Sequence, residues 1–157
     1  MINKIFYKIF LKLIFFTFMF FNVNAVEEFS FDITEVEILE NGNIFKGVKK
    51  GTIMSNDGII INANEFIYNK ALNKLNLKGD VKIEDKINNY VLFSDKATYL
   101  KNKNIIKTQG NSKAIDLNDD MIIESDEFTY NKTLNTINAK KKVIIEDKVR
   151  NYKLLSE

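Results

Sequence analysis

The chain copies itself. Ile60 to Ser94 realigns without a gap on Ile122 to Ser156, 62 residues later, and 20 of the 35 positions are identical. EFIYNKALNKLNLKGDVKIEDKINNYVLFS becomes EFTYNKTLNTINAKKKVIIEDKVRNYKLLS. A weaker echo sits at half that shift: Tyr68, Tyr99 and Tyr130 are 31 residues apart, as are Asp85, Asp116 and Asp147, and Gly79 and Gly110 keep the same interval. Repeats of this length are stacked supersecondary units that bury surface on their neighbours, so the expected fold is an array, with function spread along a surface rather than held in one pocket.

Within each repeat the apolar residues recur with period two. Leu75, Leu77, Val81 and Ile83 share one face of a strand whose other face carries Lys78, Asp80, Lys82 and Glu84, and Ile137, Ala139, Val143 and Ile145 repeat the pattern. A helix would need apolar spacings of three and four, which fail over most of the repeat, and the β-branched content also favours strands. A second kind of strand changes phase midway. Ile59 and Ile61 lie on one parity and Phe66 and Tyr68 on the other, with Ala63-Asn64 between them; Ser94-Asp95 and Ser125-Asp126 mark the same shift before Ala97 and Tyr99 and before Phe128 and Tyr130. A slip of one residue turns every later side chain over. Both apolar sets reach one interior only if the strand bends or bulges at that dipeptide, passing from one sheet to a facing one.

Turn signals punctuate these strands at Asn69 to Asn73, Lys101 to Asn104, Leu117 to Asp120 and Asn131 to Asn135, and Asp57-Gly58 and Asn41-Gly42 are tight hairpin signals. The expectation is an all-β antiparallel fold of roughly eight bent strands of about ten residues, one hairpin per half-repeat. Phe29 to Met54 fits the period poorly and is expected to be an irregular cap. Ser156-Glu157 matches Ser94-Asp95, the middle of a bending strand, so the domain at 26–157 is expected to be truncated at its C-terminus.

Residues 1–25 read as an export signal: Lys4, Lys8 and Lys12, an apolar run from Leu13 to Phe21 broken only by Thr17, and Val23-Asn24-Ala25 at the cleavage site. An uncleaved anchor is the alternative, although the run is about half of the ~20 residues that span hydrocarbon. Three of the 23 basic residues and none of the 21 acids lie in that segment, so the remainder carries 20 basic against 21 acidic side chains. No basic field is left for nucleic acid. With no cysteine and no proline, an exported domain depends on packing and sheet hydrogen bonds.

Chemistry is sparse. The absence of histidine and cysteine removes Ser-His and Cys-His nucleophile systems, zinc clusters and imidazole proton shuttles. Glu84-Asp85, Glu146-Asp147 and Asp119-Asp120 could serve acid–base catalysis in an exported hydrolase, but a motif duplicated at both ends of an array speaks for solvated turn residues. Asn118-Asp119-Asp120 lacks calcium-loop spacing and the glycines form no phosphate cradle. No enzyme, metal or cofactor is expected. Tyr68, Tyr99 and Tyr130 are either a ladder for stacking a ligand or half-buried core residues.

The 31-residue half-repeat, the segments Ala63-Asn64-Glu65-Phe66-Ile67-Tyr68-Asn69, Ser94-Asp95-Lys96-Ala97-Thr98-Tyr99 and Ser125-Asp126-Glu127-Phe128-Thr129-Tyr130, and the turnover Leu77-Lys78-Gly79-Asp80-Val81 together resemble the OstA-like domain of lipopolysaccharide-transport proteins, shared by LptA and the N-terminal periplasmic part of LptD, over residues 33–157. The resemblance implies a β-jellyroll, an open C-shaped double sheet. Its ends join other Lpt jellyrolls by strand-edge addition in a periplasmic bridge carrying lipopolysaccharide to the outer membrane. It further implies outer-membrane association if a barrel follows. Two departures stand out. The cysteines that tie jellyroll to barrel in some LptD proteins are missing, which leaves LptD and LptA both open. Lys141 replaces the repeat glycine, which implies altered strand geometry in the last copy.

The residues expected to line an apolar trough or fill its core are Ile61, Phe66, Tyr68, Leu75, Leu77, Val81, Ile83, Ala97, Tyr99, Phe128, Tyr130, Ile137, Val143 and Ile145. A twelve-carbon acyl chain withdrawn from water gains on the order of 10 kcal/mol at ~0.8 per methylene, so partial burial of several chains against such a lining would hold a lipid. The alternative is an exported structural or adhesive β-repeat with a filled core and no ligand.

Overall fold

The computed structural model describes residues 28–156; the expected export signal lies outside them. The described chain is thirteen strands in one hydrogen-bonded system: β1 (Phe29–Asp32), β2 (Glu37–Leu39), β3 (Ile44–Gly47), β4 (Gly51–Ser55), β5 (Ile59–Ala63), β6 (Glu65–Asn69), β7 (Lys74–Asp85), β8 (Tyr90–Leu100), β9 (Ile105–Asp116), β10 (Met121–Asn131), β11 (Thr136–Lys140), β12 (Val143–Asp147) and β13 (Tyr152–Ser156). Every pairing among them is antiparallel. The four long strands β7 to β10 run 11 or 12 residues each. The 31-residue half-repeat is one hairpin of two such strands.

Each long strand bends once and so serves two half-sheets. The first half-sheet follows the order β1-β4-β5-β7-β8-β9-β10-β12-β13, and the second follows β2-β3-β6-β7-β8-β9-β10-β11. Register breaks mark the bends between Lys78 and Val81, Phe93 and Lys96, and Ser125 and Glu127. The break between β5 and β6 at Asn64 is the same feature in the first copy. Ala63-Asn64, Ser94-Asp95 and Ser125-Asp126 are therefore the corners the phase shift predicted.

The partner strands reach the corner differently. Gly79-Asp80 and Gly110-Asn111 each insert two residues with φ between +44° and +78° opposite the single residue of their neighbour. A two-residue insertion turns the side-chain parity over twice, so β7 and β9 keep one parity while β8 and β10 change it. The single residue closes the corner: Asn64 Nδ2 donates to Asp80 Oδ2 at 3.0 Å, and Asn111 Nδ2 donates to Asp95 Oδ2 at 2.9 Å. A Cβ at Gly110 would overlap Asp95 Oδ2 and sit on a left-handed backbone at φ +78°. Gly110→Ala is therefore expected to cost about 1–2 kcal/mol, read as a lower urea midpoint with an unchanged slope. At the third corner Lys141 and Lys142 hold φ +66° and +51° without glycine, and the strand splits there into β11 and β12. This is the altered geometry expected of Lys141.

Two expectations are corrected. Phe29 to Met54 is not irregular: it supplies β1 to β4, short strands that pair into both half-sheets and bring Phe29, Phe31 and Phe45 to the interior. Short strands with few side chains per face leave no readable period. Asp85 and Asp147, expected to be solvated, are buried. They accept backbone N–H groups of their own turns, Ile87 and Asn88 on Asp85 at 3.0 Å and Arg150 on Asp147 at 2.7 Å. Such bonds keep the turn donors satisfied inside the protein. Asp119 and Asp120 are exposed as expected.

Candidate functional site

The interior between the half-sheets is built from alternate residues of each strand, with the parity kept along β7 and β9 and switched at the corner in β8 and β10. Ile61, Phe66, Tyr68, Leu75, Leu77, Val81, Ile83, Ala97, Tyr99, Phe128 and Tyr130 are buried there, and Ile137, Val143 and Ile145 are partly buried against the same cluster. All fourteen residues singled out from the sequence thus converge on one apolar space. The sequence reading missed Phe29, Ile53, Ile59, Leu92, Ile106, Ala114 and Ile123, which lie in the same core. Of these, Ile59, Leu92 and Ile123 stand in the sequence as members of the phase-shifting pattern.

That space is filled along most of its length. Near β1 an aromatic group closes it: the ring of Phe31 stacks on Phe45 and Phe66 at 5.8 and 5.3 Å, and Phe29 meets Tyr68 edge-on at 4.9 Å. Towards β11 and β13 it opens. Leu92 is 1% exposed while its repeat equivalent Leu154 is 48% exposed, and Tyr90 and Tyr152 differ as 7% and 44%. The same side chains at the same repeat position are covered in one copy and bare in the other, because β13 pairs only with β12 and β11 only with β10.

The buried tyrosines resolve as core residues with a tethered hydroxyl. Tyr68 donates to Asn73 Oδ1 at 2.7 Å, Tyr99 to Asp57 Oδ2 at 2.7 Å and Tyr130 to Asp85 Oδ2 at 2.8 Å. Burial, and then the hydrogen-bonded carboxylate, push the Tyr99 and Tyr130 phenols far above their ordinary value, so they remain neutral donors.

Asp57, in the β4–β5 turn, is the centre of a charged cluster that sequence reading did not find. Its two oxygens take Lys101 Nζ at 2.7 Å and Lys132 Nζ at 2.6 Å, and Ser55 Oγ also donates to it. The two lysine side chains are only 8% and 7% exposed, and both ammonium groups lie within 6 Å of the Tyr99 ring centre, at 5.8 and 5.9 Å. Burial raises the carboxyl pKa, but the donors Lys101, Lys132, Ser55 and Tyr99 outweigh it and hold Asp57 well below the usual carboxylate range. A signal existed: Lys70, Lys101 and Lys132 recur every 31 residues, two places after each repeat tyrosine.

A concavity of about 650 Å³ runs across the second half-sheet near its bends, lined by Phe66, Leu77, Ala97 and Phe128 together with outward residues such as Asn76, Thr98, Lys107 and Thr129.

No family model matches the sequence, and no curated protein matches it. Among solved structures the fold is similar to that of LptH from Pseudomonas aeruginosa, the LptA-homologous periplasmic component of the conserved lipopolysaccharide transport device, with 12% identity and a TM-score of 0.65 over 72% of this chain and 82% of that one. The expected all-β jellyroll, open and antiparallel, is therefore the fold of this chain, and it is the fold that LptH shares.

Proposed function

We propose that this protein is a non-enzymatic, periplasmic lipid-conduit module of a lipopolysaccharide transport machine, exported by its N-terminal segment. The observation that carries this reading is an LptA-like jellyroll whose inward side chains are chiefly apolar on β7, β8 and β10, with Ile106 and Ala114 beside buried Thr108, Ser112 and Asp116 on β9, and whose interior opens at the β11–β13 end. Acyl chains would rest on Ile137, Val143 and Ile145 first, then displace side-chain contacts deeper along the axis. Repeated contacts with methyl groups and rings are non-directional, so they hold a chain without fixing its position. The free edges of β11 and β13 present unpaired backbone groups, the chemistry by which a neighbouring jellyroll adds a strand. The module serves either as an LptA-like bridge or as the N-terminal part of an LptD at the outer membrane, and a reading frame continuing into alternating barrel strands distinguishes them.

The filled middle of the interior favours a second reading, an exported structural β-repeat that binds nothing. A photocrosslinking residue at Ile145 decides between them. The conduit gives an adduct with lipopolysaccharide in cells, weaker from Leu75 and absent from the outward Lys107. No adduct from any inward position would leave the structural repeat.

A further inference from the structure

We propose, resting on the conduit reading, that the polar seam centred on Asp57 is the slit through which the lipid headgroup stays outside, held shut here by a latch of Asp57, Lys101 and Lys132. A lipid moving along the interior cannot take its hydrophilic head inside, because buried polar groups without partners are costly. One wall must therefore part along the axis. On the bend side it cannot, since the backbones of β7 to β10 run continuously from one half-sheet into the other. On the opposite side the two half-sheets end in rows of hairpin turns that meet with no covalent link.

Those rows are internally stitched but joined to each other at few points. Within a row, Asn73 bonds Asn102, Asn89 bonds Asn118 and Asn104 bonds Thr133, at 2.9 to 3.2 Å. Across the seam stand Asp57 with Tyr99, Lys101 and Lys132, a longer Lys101–Glu28 pair at 3.8 Å, then Tyr130 with Asp85, and Asn88 Nδ2 on the Lys132 carbonyl at 3.4 Å. Rigid rows joined at a few side-chain points separate as units, and the strongest point is the ion cluster. Repulsion between two buried ammonium groups is what Asp57 cancels, so its loss both breaks the tie and drives the rows apart.

The natural chain has no cysteine, so Ala97→Cys places one thiol on the buried face as a reporter of opening. N-ethylmaleimide labelling of the folded full chain is expected to be slow and nearly flat in low urea, because parting the seam exposes far less surface than unfolding. Asp57→Asn should speed it at least tenfold, with the same flat dependence. Glu65→Gln, which breaks only an exposed pair with Lys78, should change it less than twofold. If Asp57→Asn does not fold, Tyr130→Phe cuts the second tie and should speed labelling at least threefold. Labelling that follows urea with the full unfolding slope in every variant overturns the latch. Association of a dansylated undecanoic acid should quicken in parallel with labelling. Faster labelling with no binding of that probe keeps the seam and removes the lipid reading.

Discussion

Asp57→Asn is expected to lower the stability of this protein by about 3 kcal/mol at pH 7, measured by urea denaturation. Breaking a buried ion pair from one side costs about 3–5 kcal/mol because the partner charge is left uncompensated. The partial exposure of Asp57, 27%, places the loss at the lower end of that range. Lys101 and Lys132 carry the penalty: both side chains are more than nine-tenths buried. The same substitution should reshape the pH profile. Asp57 has a folded-state pKa held below its unfolded value, so its stabilisation is complete above the unfolded carboxylate value near 3.9 and is lost as pH falls through the folded one. The natural protein should therefore lose stability progressively below about pH 5, and Asp57→Asn should lose less over that interval. An equally steep acid limb in the variant would move the acid sensitivity to other carboxylates.

Leu92→Ala and Leu154→Ala make the second large contrast. They truncate the same residue at the same place in the repeat. Leu92 sits in the closed core and should cost about 3 kcal/mol, from lost transfer energy and an unfilled cavity. Leu154 stands half-exposed on the edge strand β13 and should cost under about 1 kcal/mol. Denaturation of both variants at low protein concentration gives the comparison directly. A strand added to the β13 edge would cover Leu154, so its cost should rise if the free chain begins to pair through that edge.

Local alternation made much of this fold legible. Period two named the inward faces of β7, β11 and β12, the phase shift named those of β5, β6, β8 and β10, and all fourteen residues chosen lie in the core or pack against it. The phase shift at Ser94-Asp95 and Ser125-Asp126 located the corners to within a residue, because parity is a property of consecutive side chains. What escaped were features without local pattern. β1 to β4 are too short to show a period, and the burial of Asp85 and Asp147 depends on turn amides that only the folded hairpin aims at them.

The amino-acid order alone settled that bent hairpins repeat, which side of each strand is apolar, and where each strand turns its corner, since all three follow from spacing along the backbone. It could not settle how well each copy is covered, because Leu92 and Leu154 differ only in whether another strand lies beside them. Nor could it bring Asp57 to Lys132, 75 residues away. That contact exists only because bending each strand carries the two rows of turns together, and the burial of both lysine side chains strengthens the attraction once they meet.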